Sequence, residues 1–342
     1  MLTRDIIAYC LCISVALMGF LLNGTNIVGL LAACIGIGLI GSALWLRMPF
    51  FPYDCICSAT SVDGLHWILD KGVRCDVGGI NRSNQVYYPN VISVGNGYRM
   101  YYGGSGDKST ILSAFSQDGS AWAEEEGGRV GTNNRFLRLG CPDVMRWGNG
   151  YRMYYGGQDS TTWKIHWAES QDSLVWKERG CCLEAVAEEY LPHVKDPSVI
   201  RRNGNYQLFF MAFSKNETEI YTCFSSDGLA WSKPVPCRGY RTVYSSFVRN
   251  PEVVKLGNGQ LRMYFAETER ASALGSRIAS AISTDGIHWQ REEGFRLKPA
   301  GPNAGQGVFC PNVLQIDGEW KMFFGAYWKR HWLLPYTIFY HR

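Results

Sequence analysis

One sixteen-residue phrase limits what this chain can fold into more than any other. PNVISVGNGYRMYYGG, Pro89 to Gly104, reads as a short apolar strand, an Asn-Gly turn and a strand rich in Tyr and Met. It returns as PDVMRWGNGYRMYYGG from Pro142, PSVIRRNGNYQLFF from Pro197, PEVVKLGNGQLRMYF from Pro251 and PNVLQIDGEWKMFF from Pro311. The starting prolines are 53, 55, 54 and 60 residues apart. Self-similarity at such a period marks a repeat architecture or propeller.

Each unit has a second half, an alternating strand that ends in a turn and a Trp. These are AFSQDGSAW (Ala114 to Trp122), AESQDSLVW (Ala168 to Trp176), CFSSDGLAW (Cys223 to Trp231) and AISTDGIHW (Ala281 to Trp289). The Asp-Gly pair suits a type I′ hairpin turn, in which both central residues have positive φ. Two hairpins give four antiparallel strands, which is one propeller blade. The Trp is expected to pack between neighbouring blades. Five Pro-x-Val starts have only four second halves after them; the fifth, ATSVDGLHW (Ala59 to Trp67), precedes the first repeat. The chain is therefore expected to be all-β, a five-bladed propeller over 49–342. Strands within 55–70 complete the sheet begun at Pro311, and YTIFY near the C-terminus offers a further strand.

The 342 residues suit one large all-β domain or two smaller ones, and 14% aromatics with 38 glycines suit many short strands and tight turns. A net charge of +4 with no basic run gives nucleic-acid binding no support. Residues 1–48 differ in kind. Ile6 to Leu22 and Ile27 to Leu46 are nearly uncharged apolar runs separated by Asn23-Gly24-Thr25-Asn26. About 20 apolar residues cross a bilayer as a helix, so the preferred reading is a transmembrane helical hairpin that anchors the propeller. A cleaved signal peptide followed by one anchor is the alternative. Arg4 and Arg47 flank the hairpin, and positive-inside logic then places the propeller on the cytoplasmic face. Nine of the twelve cysteines lie in the propeller without framework spacing, which suits free thiols in a reducing compartment. Two glycosylation sequons, at Asn81 and Asn216, would be silent there.

In a propeller the first strand of each blade faces the central channel, so the residues flanking its proline matter most. Before the prolines stand Tyr88, Cys141, Asp196, Asn250 and Cys310; after them stand Asn90, Asp143, Ser198, Glu252 and Asn312. Blades two, three and four each contribute one acid. His193, Lys195 and Arg249 lie close in sequence. Acids converging on one channel repel, which raises at least one pKa and sets a general acid beside a second carboxylate. Glycoside cleavage needs such a pair. The competing expectation is that these acids cap strand ends, bond backbone amides or pair with Lys195 and Arg249. Glu267 follows the Tyr-Phe of the fourth unit and is a further candidate beside the mouth. Tyr87, Tyr88, Trp163, Trp328 and Trp332 offer flat faces for sugars. Asn90, His193, Arg249, Asn250 and Asn312 complete the expected substrate-binding set. His66 and His288 sit in the DGxxW turns as surface residues. No His/Cys cluster has zinc spacing, no Gly-rich loop suits a phosphate and no Ser elbow is present. No cofactor is expected; a structural channel ion such as calcium stays open.

From about Asp54 to Arg342 the chain resembles the five-bladed propellers of the arabinanase, levansucrase and invertase superfamily. VKDPSVI, Val194 to Ile200, is the most specific part and looks like the Asp-Pro start of an inner strand in those enzymes. The resemblance implies three acids around the axis: an Asp as base or nucleophile, a second Asp that tunes pKa and holds sugar hydroxyls, and a Glu as general acid. It puts Asp196 at the second Asp and Glu252 or Glu267 at the acid. The chain departs at the first blade, where Tyr88-Pro89-Asn90 carries no carboxylate; Asp143, outside the family motif, is the only nearby substitute. The turn repeat also looks like the Asp-box of sialidases, one residue short, whose propellers have six blades. The leading expectation is a membrane-held hydrolase or transglycosidase acting on a carbohydrate such as a lipid-linked or envelope glycan. The alternatives are a non-catalytic carbohydrate- or protein-binding propeller, and a scaffold recruited for non-sugar chemistry on a membrane-soluble molecule.

Overall fold

The computed structural model of the chain describes residues 50–331, apart from 82, 106–108, 132–135, 160, 187–190, 216, 243–244, 270–273 and 301–304. Contacts divide the chain into two compact units. One, Met1–Phe51 with Arg330–Ile338, falls almost wholly outside the described residues; the other, which includes Pro52–Lys329, is the propeller. The two apolar runs of the expected membrane hairpin, Trp332 and the YTIFY segment lie outside the described residues. Among the described residues, no helix is long and apolar enough to cross a membrane.

The described chain enters through β1 (Phe50–Ser61) and the two-residue β2 (Ile68–Leu69). Blade one follows as β3 (Gln85–Val94), β4 (Gly97–Ser105), β5 (Ser109–Ser116) and β6 (Ala123–Val130). Blade two is β7 (Arg138–Trp147), β8 (Gly150–Gln158), β9 (Trp163–Ser170) and β10 (Lys177–Leu183). Blade three is β11 (His193–Arg202), β12 (Asn205–Phe213), β13 (Thr218–Ser225) and β14 (Val235–Pro236). Blade four is β15 (Phe247–Lys255), β16 (Leu261–Thr268), β17 (Arg277–Ser283) and β18 (Gln290–Arg291). Then β19 (Gly307–Ile316) and β20 (Glu319–His331) join the entering strands in the sheet order β19-β20-β1-β2. Strands far apart in sequence thus share one sheet, which closes the ring of five blades. The inner strands β3, β7, β11, β15 and β19 neighbour one another in a closed cycle.

Each blade is covered on both faces, so the middle of its second strand is buried on consecutive, not alternate, residues. Tyr101, Tyr102, Tyr154, Tyr155, Phe209 and Phe210 are all fully buried. The turn Trp of each blade meets a ring on the second strand of the blade before it. The pairs are Trp122–Phe323, Trp176–Tyr101, Trp231–Tyr154, Trp289–Phe209 and Trp67–Tyr264, with centroids 5.5–6.0 Å apart and steeply inclined planes. An edge-to-face pair adds about 0.5–1.5 kcal/mol beyond its buried area. The expected interblade role of the Trp therefore holds in all five blades.

The DGxxW turns form differently from the type I′ expectation. Only the Gly position, Gly64, Gly119, Gly228 and Gly286, or Ser173 in its place, has positive φ. The Asp stays in ordinary space because its carboxylate binds the turn: Asp227 Oδ1 accepts the N–H groups of Leu229 and Ala230 at 2.9 Å. Ser225 Oγ accepts the Gly228 N–H at 2.8 Å. Those backbone donors hold Asp227 below the usual carboxylate range. True paired positive φ values occur elsewhere, at Asn203-Gly204 and Asp317-Gly318 between first and second strands.

Candidate active site

The five prolines explain the geometry of the axis. In β3 the register skips from Tyr87↔Gly103 to Asn90↔Tyr101, so Tyr88 and Pro89 oppose the single residue Tyr102. The same skip occurs at Gly140/Asp143, Lys195/Ser198, Arg249/Glu252 and Phe309/Asn312. Each is a β-bulge, a place where proline's missing N–H costs no ladder bond. The residue before each proline takes positive φ: Tyr88 58°, Cys141 56°, Asp196 57°, Asn250 53° and Cys310 51°. That conformation is strained by about 1–3 kcal/mol each at Tyr88, Cys141 and Cys310, and less at Asp196 and Asn250, whose residue types tolerate it. The bulge brings the residues on both sides of the proline to the axis. With the prolines, all five residues before them and Asn90, Asp143 and Glu252 after them line a cavity of about 30 Å³. That volume holds one or two waters and is far below the roughly 300–1,000 Å³ of an ordinary ligand pocket.

Two tiers ring this cavity. The tier after the prolines forms a closed belt of hydrogen bonds between blades. Asn90 Oδ1 accepts the Val144 N–H at 3.0 Å, and Asp143 Oδ2 accepts Val199 N–H at 2.8 Å. Ser198 Oγ accepts Val253 N–H and Glu252 Oε1 accepts Val313 N–H, both at 3.0 Å. Asn312 Oδ1 closes the belt on Val91 N–H at 2.8 Å. Inner strands are sheet edges whose outward N–H groups would otherwise be orphaned. This is why the repeat reads Pro-x-Val with Asn, Asp, Ser, Glu and Asn at x: every one is an acceptor. Asn90 Nδ2 also donates to Asp143 Oδ1 at 3.3 Å, and Asn312 Nδ2 to Glu252 Oε1 at 3.0 Å. Burial pushes Asp143 up to about 7 against those bonds. Burial, and then the Asp143 charge, push Glu252 well above the ordinary glutamate value.

The tier before the prolines centres on Asp196, which is buried. Its Oδ1 accepts the Cys141 thiol at 2.7 Å; its Oδ2 accepts the Asn250 Nδ2 at 2.7 Å and the Asn250 N–H at 3.2 Å. Lys195 Nζ lies 3.9 Å from Oδ1 and donates to the Tyr88 hydroxyl at 3.2 Å. That ammonium also sits over the rings of Trp163, Tyr88 and Phe213, at 5.2, 5.5 and 5.5 Å. Burial, followed by the Asp196 carboxylate, lifts the Cys141 and Cys310 thiols well above the usual range. Arg249, one position before Asn250, is lowered by burial. Toward the strand starts, Tyr87, Tyr88, Lys195 and Arg249 are partly exposed.

Of the residues singled out from sequence, Tyr88, Asn90, Asp143, Asp196, Asn250 and Glu252 line one cavity, with Asn312 in the same belt. His193 stands at the start of β11, its ring 4.9 Å from Phe213 and its Nδ1 accepting the Trp163 N–H at 3.4 Å; burial lowers its pKa. Glu267 is not among the cavity residues. It is buried on β16, bound by Arg291 at 2.8 and 3.0 Å and by Ser245 at 2.7 Å. The second-strand position that looked open in sequence is covered by the outer strand of the same blade. His66 and His288 are exposed, each 2.7–2.8 Å from its turn Asp. Among the described residues, no cluster of three or more His, Cys, Asp or Glu could hold a metal.

Sequence reading did not single out Asp54 of β1. Burial raises its carboxyl to about 6, and it is close enough to Tyr87 and Cys310 to act on both electrostatically. Nor did it single out the aromatic cage of Lys195. The signal for the cage was the Lys beside the Asp-Pro pair; for Asp54 there was none, since its strand joins the site only on ring closure.

A five-bladed propeller with a carboxylate-bearing axis defines a class, the glycoside hydrolase-like propellers. Residues 141–334, more than half of the chain, match the family described as glycosyl hydrolases family 32 N-terminal domain, and the chain belongs to that family. Among solved structures it is similar to a thermostable family-43 glycoside hydrolase, at 16% identity and TM-score 0.59 over 74% of this chain and 91% of that one. The native arabinanase of Bacillus subtilis is similar at 16% identity and TM-score 0.54, over 71% and 94%. An endo-arabinase of Bacteroides thetaiotaomicron matches at 16% identity and TM-score 0.53, over 68% and 86%. At such identities these likenesses show the fold alone. Two uncharacterized proteins of Mycobacterium tuberculosis (strains CDC 1551 / Oshkosh and ATCC 25618 / H37Rv) are each 32% identical over 102 residues, 27% of this chain and 34% of theirs. The chain thus spans about a third of the length of those curated relatives.

Proposed function

We propose that the protein cleaves or transfers glycosidic bonds, as a hydrolase or transglycosidase, at the end of the axis where the inner strands begin. The observation that carries this reading is the convergence of three acids from consecutive blades on one cavity, in unlike environments. Asp196 is surrounded by donors and serves as the acceptor carboxylate facing the sugar. Glu252, which burial and Asp143 keep protonated, is the proton donor, and Asp143 tunes it. The axial cavity is too small for a sugar ring, so the substrate sits above it, among Tyr87, Tyr88, Lys195 and Arg249. A panel of aryl furanosides and pyranosides, assayed across pH with wild type and Asp196→Asn, tests the reading. Release by wild type and not by the variant is expected; equal rates would remove Asp196 from the chemistry.

The apolar runs Ile6 to Leu22 and Ile27 to Leu46 support a membrane anchor, with Arg4 and Arg47 favouring a cytoplasmic propeller. Such an anchor would suit a lipid-linked or envelope glycan as substrate. Membrane fractionation of the full chain, followed by protease access from each face, tests both points; recovery in the soluble fraction would remove the anchor.

One observation favours a second reading, a propeller that binds carbohydrate without cleaving it. Asp143 and Glu252 already spend carboxylate oxygens on the interblade belt. Glycan binding with no release from any substrate of the panel would select it.

A further inference from the structure

Tyr88 occupies the first-blade position equivalent to Asp196, with the same backbone twist (φ 58° and 57°) and the same place before proline. We propose that Tyr88 is the site's hydrogen-bond donor, aimed by Lys195 at a substrate oxygen, and that it takes the place of the carboxylate missing from the first blade. This rests on the reading of the axis mouth as a glycoside site.

Donor bookkeeping fixes the direction of the phenol. An ammonium has three donors and no acceptor, so in the 3.2 Å contact Lys195 Nζ donates and the Tyr88 oxygen accepts. The phenol's own hydrogen must point elsewhere, and no acceptor for it is found among the described residues. Tyr88 lines the axial cavity and is partly exposed at its mouth, so that hydrogen is left for a ligand seated above the cavity. Burial, with the Asp196 charge adding to it, pushes the phenol well above its ordinary pKa, and it therefore keeps its proton. The group is also rigid. Its ring stands edge-on to Tyr87 at 4.8 Å, and a Cβ added at Gly140 would come within 3.0 Å of it. Lys195 is confined in turn by Trp163, Phe213 and Asp196.

The site therefore pairs a donor with an acceptor. Tyr88 offers O–H, Asp196 offers a carboxylate oxygen, and both lie within 4 Å of the same Nζ. One sugar unit spans such a pair if it gives Asp196 a hydroxyl and gives Tyr88 an oxygen that only accepts, a ring or glycosidic oxygen. A carboxylate in place of Tyr88 would demand a second hydroxyl. The chemistry at this position thus admits a glycoside with an ether oxygen, which accepts but has no hydrogen to give, toward blade one, an orientation a carboxylate there would repel. Lys195 is a positioning residue, acting through the phenol.

The test uses the full chain and the methyl furanosides and pyranosides corresponding to the best aryl substrates, each beside its carba analogue, in which the ring oxygen is CH2. Wild type should bind at least one parent about tenfold more tightly than its analogue, the size expected for one well-made hydrogen bond. Tyr88→Phe should bind parent and analogue equally with an unchanged melting temperature. Lys195→Met keeps the phenol and the packing but frees the donor's direction, and most of the discrimination should go with it. Lys195→Met should also shift the Tyr88 ring carbon resonance, assigned by its loss in Tyr88→Phe, without any ligand. Tenfold discrimination retained in Tyr88→Phe, or an unmoved resonance in Lys195→Met, overturns the proposal and leaves the glycoside reading standing. If wild type binds none of the sugars, the glycoside reading falls first, and this inference with it.

Discussion

The two tiers that flank the axial prolines come from one repeat and have gone separate ways. After the proline, all five blades carry an acceptor, and all five acceptors hold a Val N–H of the next blade. Before the proline, the blades carry Tyr, Cys, Asp, Asn and Cys, and their contacts converge on Asp196. The first tier is uniform in function because ring closure asks the same thing of every blade. The second is free to vary because its strained backbone is held by the bulge, whatever the side chain. A repeat fold thus supplies a structural belt and, one residue away, a set of positions on which chemistry can be written. Asp143 and Glu252 belong to the belt and face the cavity as well, so they are where the two duties meet.

Substitutions at four positions and one titration sharpen that contrast. The largest effect is expected at Asp196. Asp196→Asn should cut turnover by about 10²–10⁴-fold, the range of a lost acid–base or acceptor group, with thermal melting almost unchanged. A large fall in melting temperature would move Asp196 into the structural tier. In the belt the pattern should reverse: Asn90→Ala and Asp143→Ala leave buried Val N–H groups unsatisfied. Each should cost about 1–3 kcal/mol in urea unfolding, while Asp143→Asn, which keeps an acceptor, should cost less. Equal costs for Ala and Asn would show that the belt bond to Val199 contributes nothing.

The pH dependence follows from the same belt. Asp143 binds its proton more tightly folded, at about 7, than its ordinary value of 3.8, and Glu252 shifts in the same direction. Their stabilisation is complete below the ordinary values and is lost as pH rises toward 7 and beyond, at up to about 1.4 kcal/mol per pH unit per group. Melting temperature should therefore fall from pH 5 to pH 8, less steeply in Asp143→Asn; a rise over that range would contradict the assignment. The smallest effect is expected on the outer rim. His66 is exposed in its turn, and His66→Ala should change stability by less than about 0.5 kcal/mol. A larger loss would mean that the turn needs its histidine as well as Asp63.

Much of the fold could be read before any coordinates. The Pro-x-Val starts counted the blades, and the orphaned second half at Ala59 to Trp67 told that the ends share a sheet. The site was legible only in outline. That Asp143, Asp196 and Glu252 reach one axis followed from their equivalent places in the repeat. Glu267 occupied a comparable place on a second strand, yet its environment is made by Arg291 and Ser245, which are remote in the repeat. Asp54 lay outside the repeat register altogether.

The sequence by itself determined the number of blades, the closure and which positions face the channel, because these depend on periodicity, and periodicity is local. Only the tertiary structure decided which polar groups meet. Cys141 on Asp196, Lys195 on Tyr88 and each acceptor on its Val are contacts between blades, made across 54 to 221 residues of chain. The reason is physical: a hydrogen bond depends on distance and direction to within a few tenths of an ångström, and no spacing in a sequence carries that information.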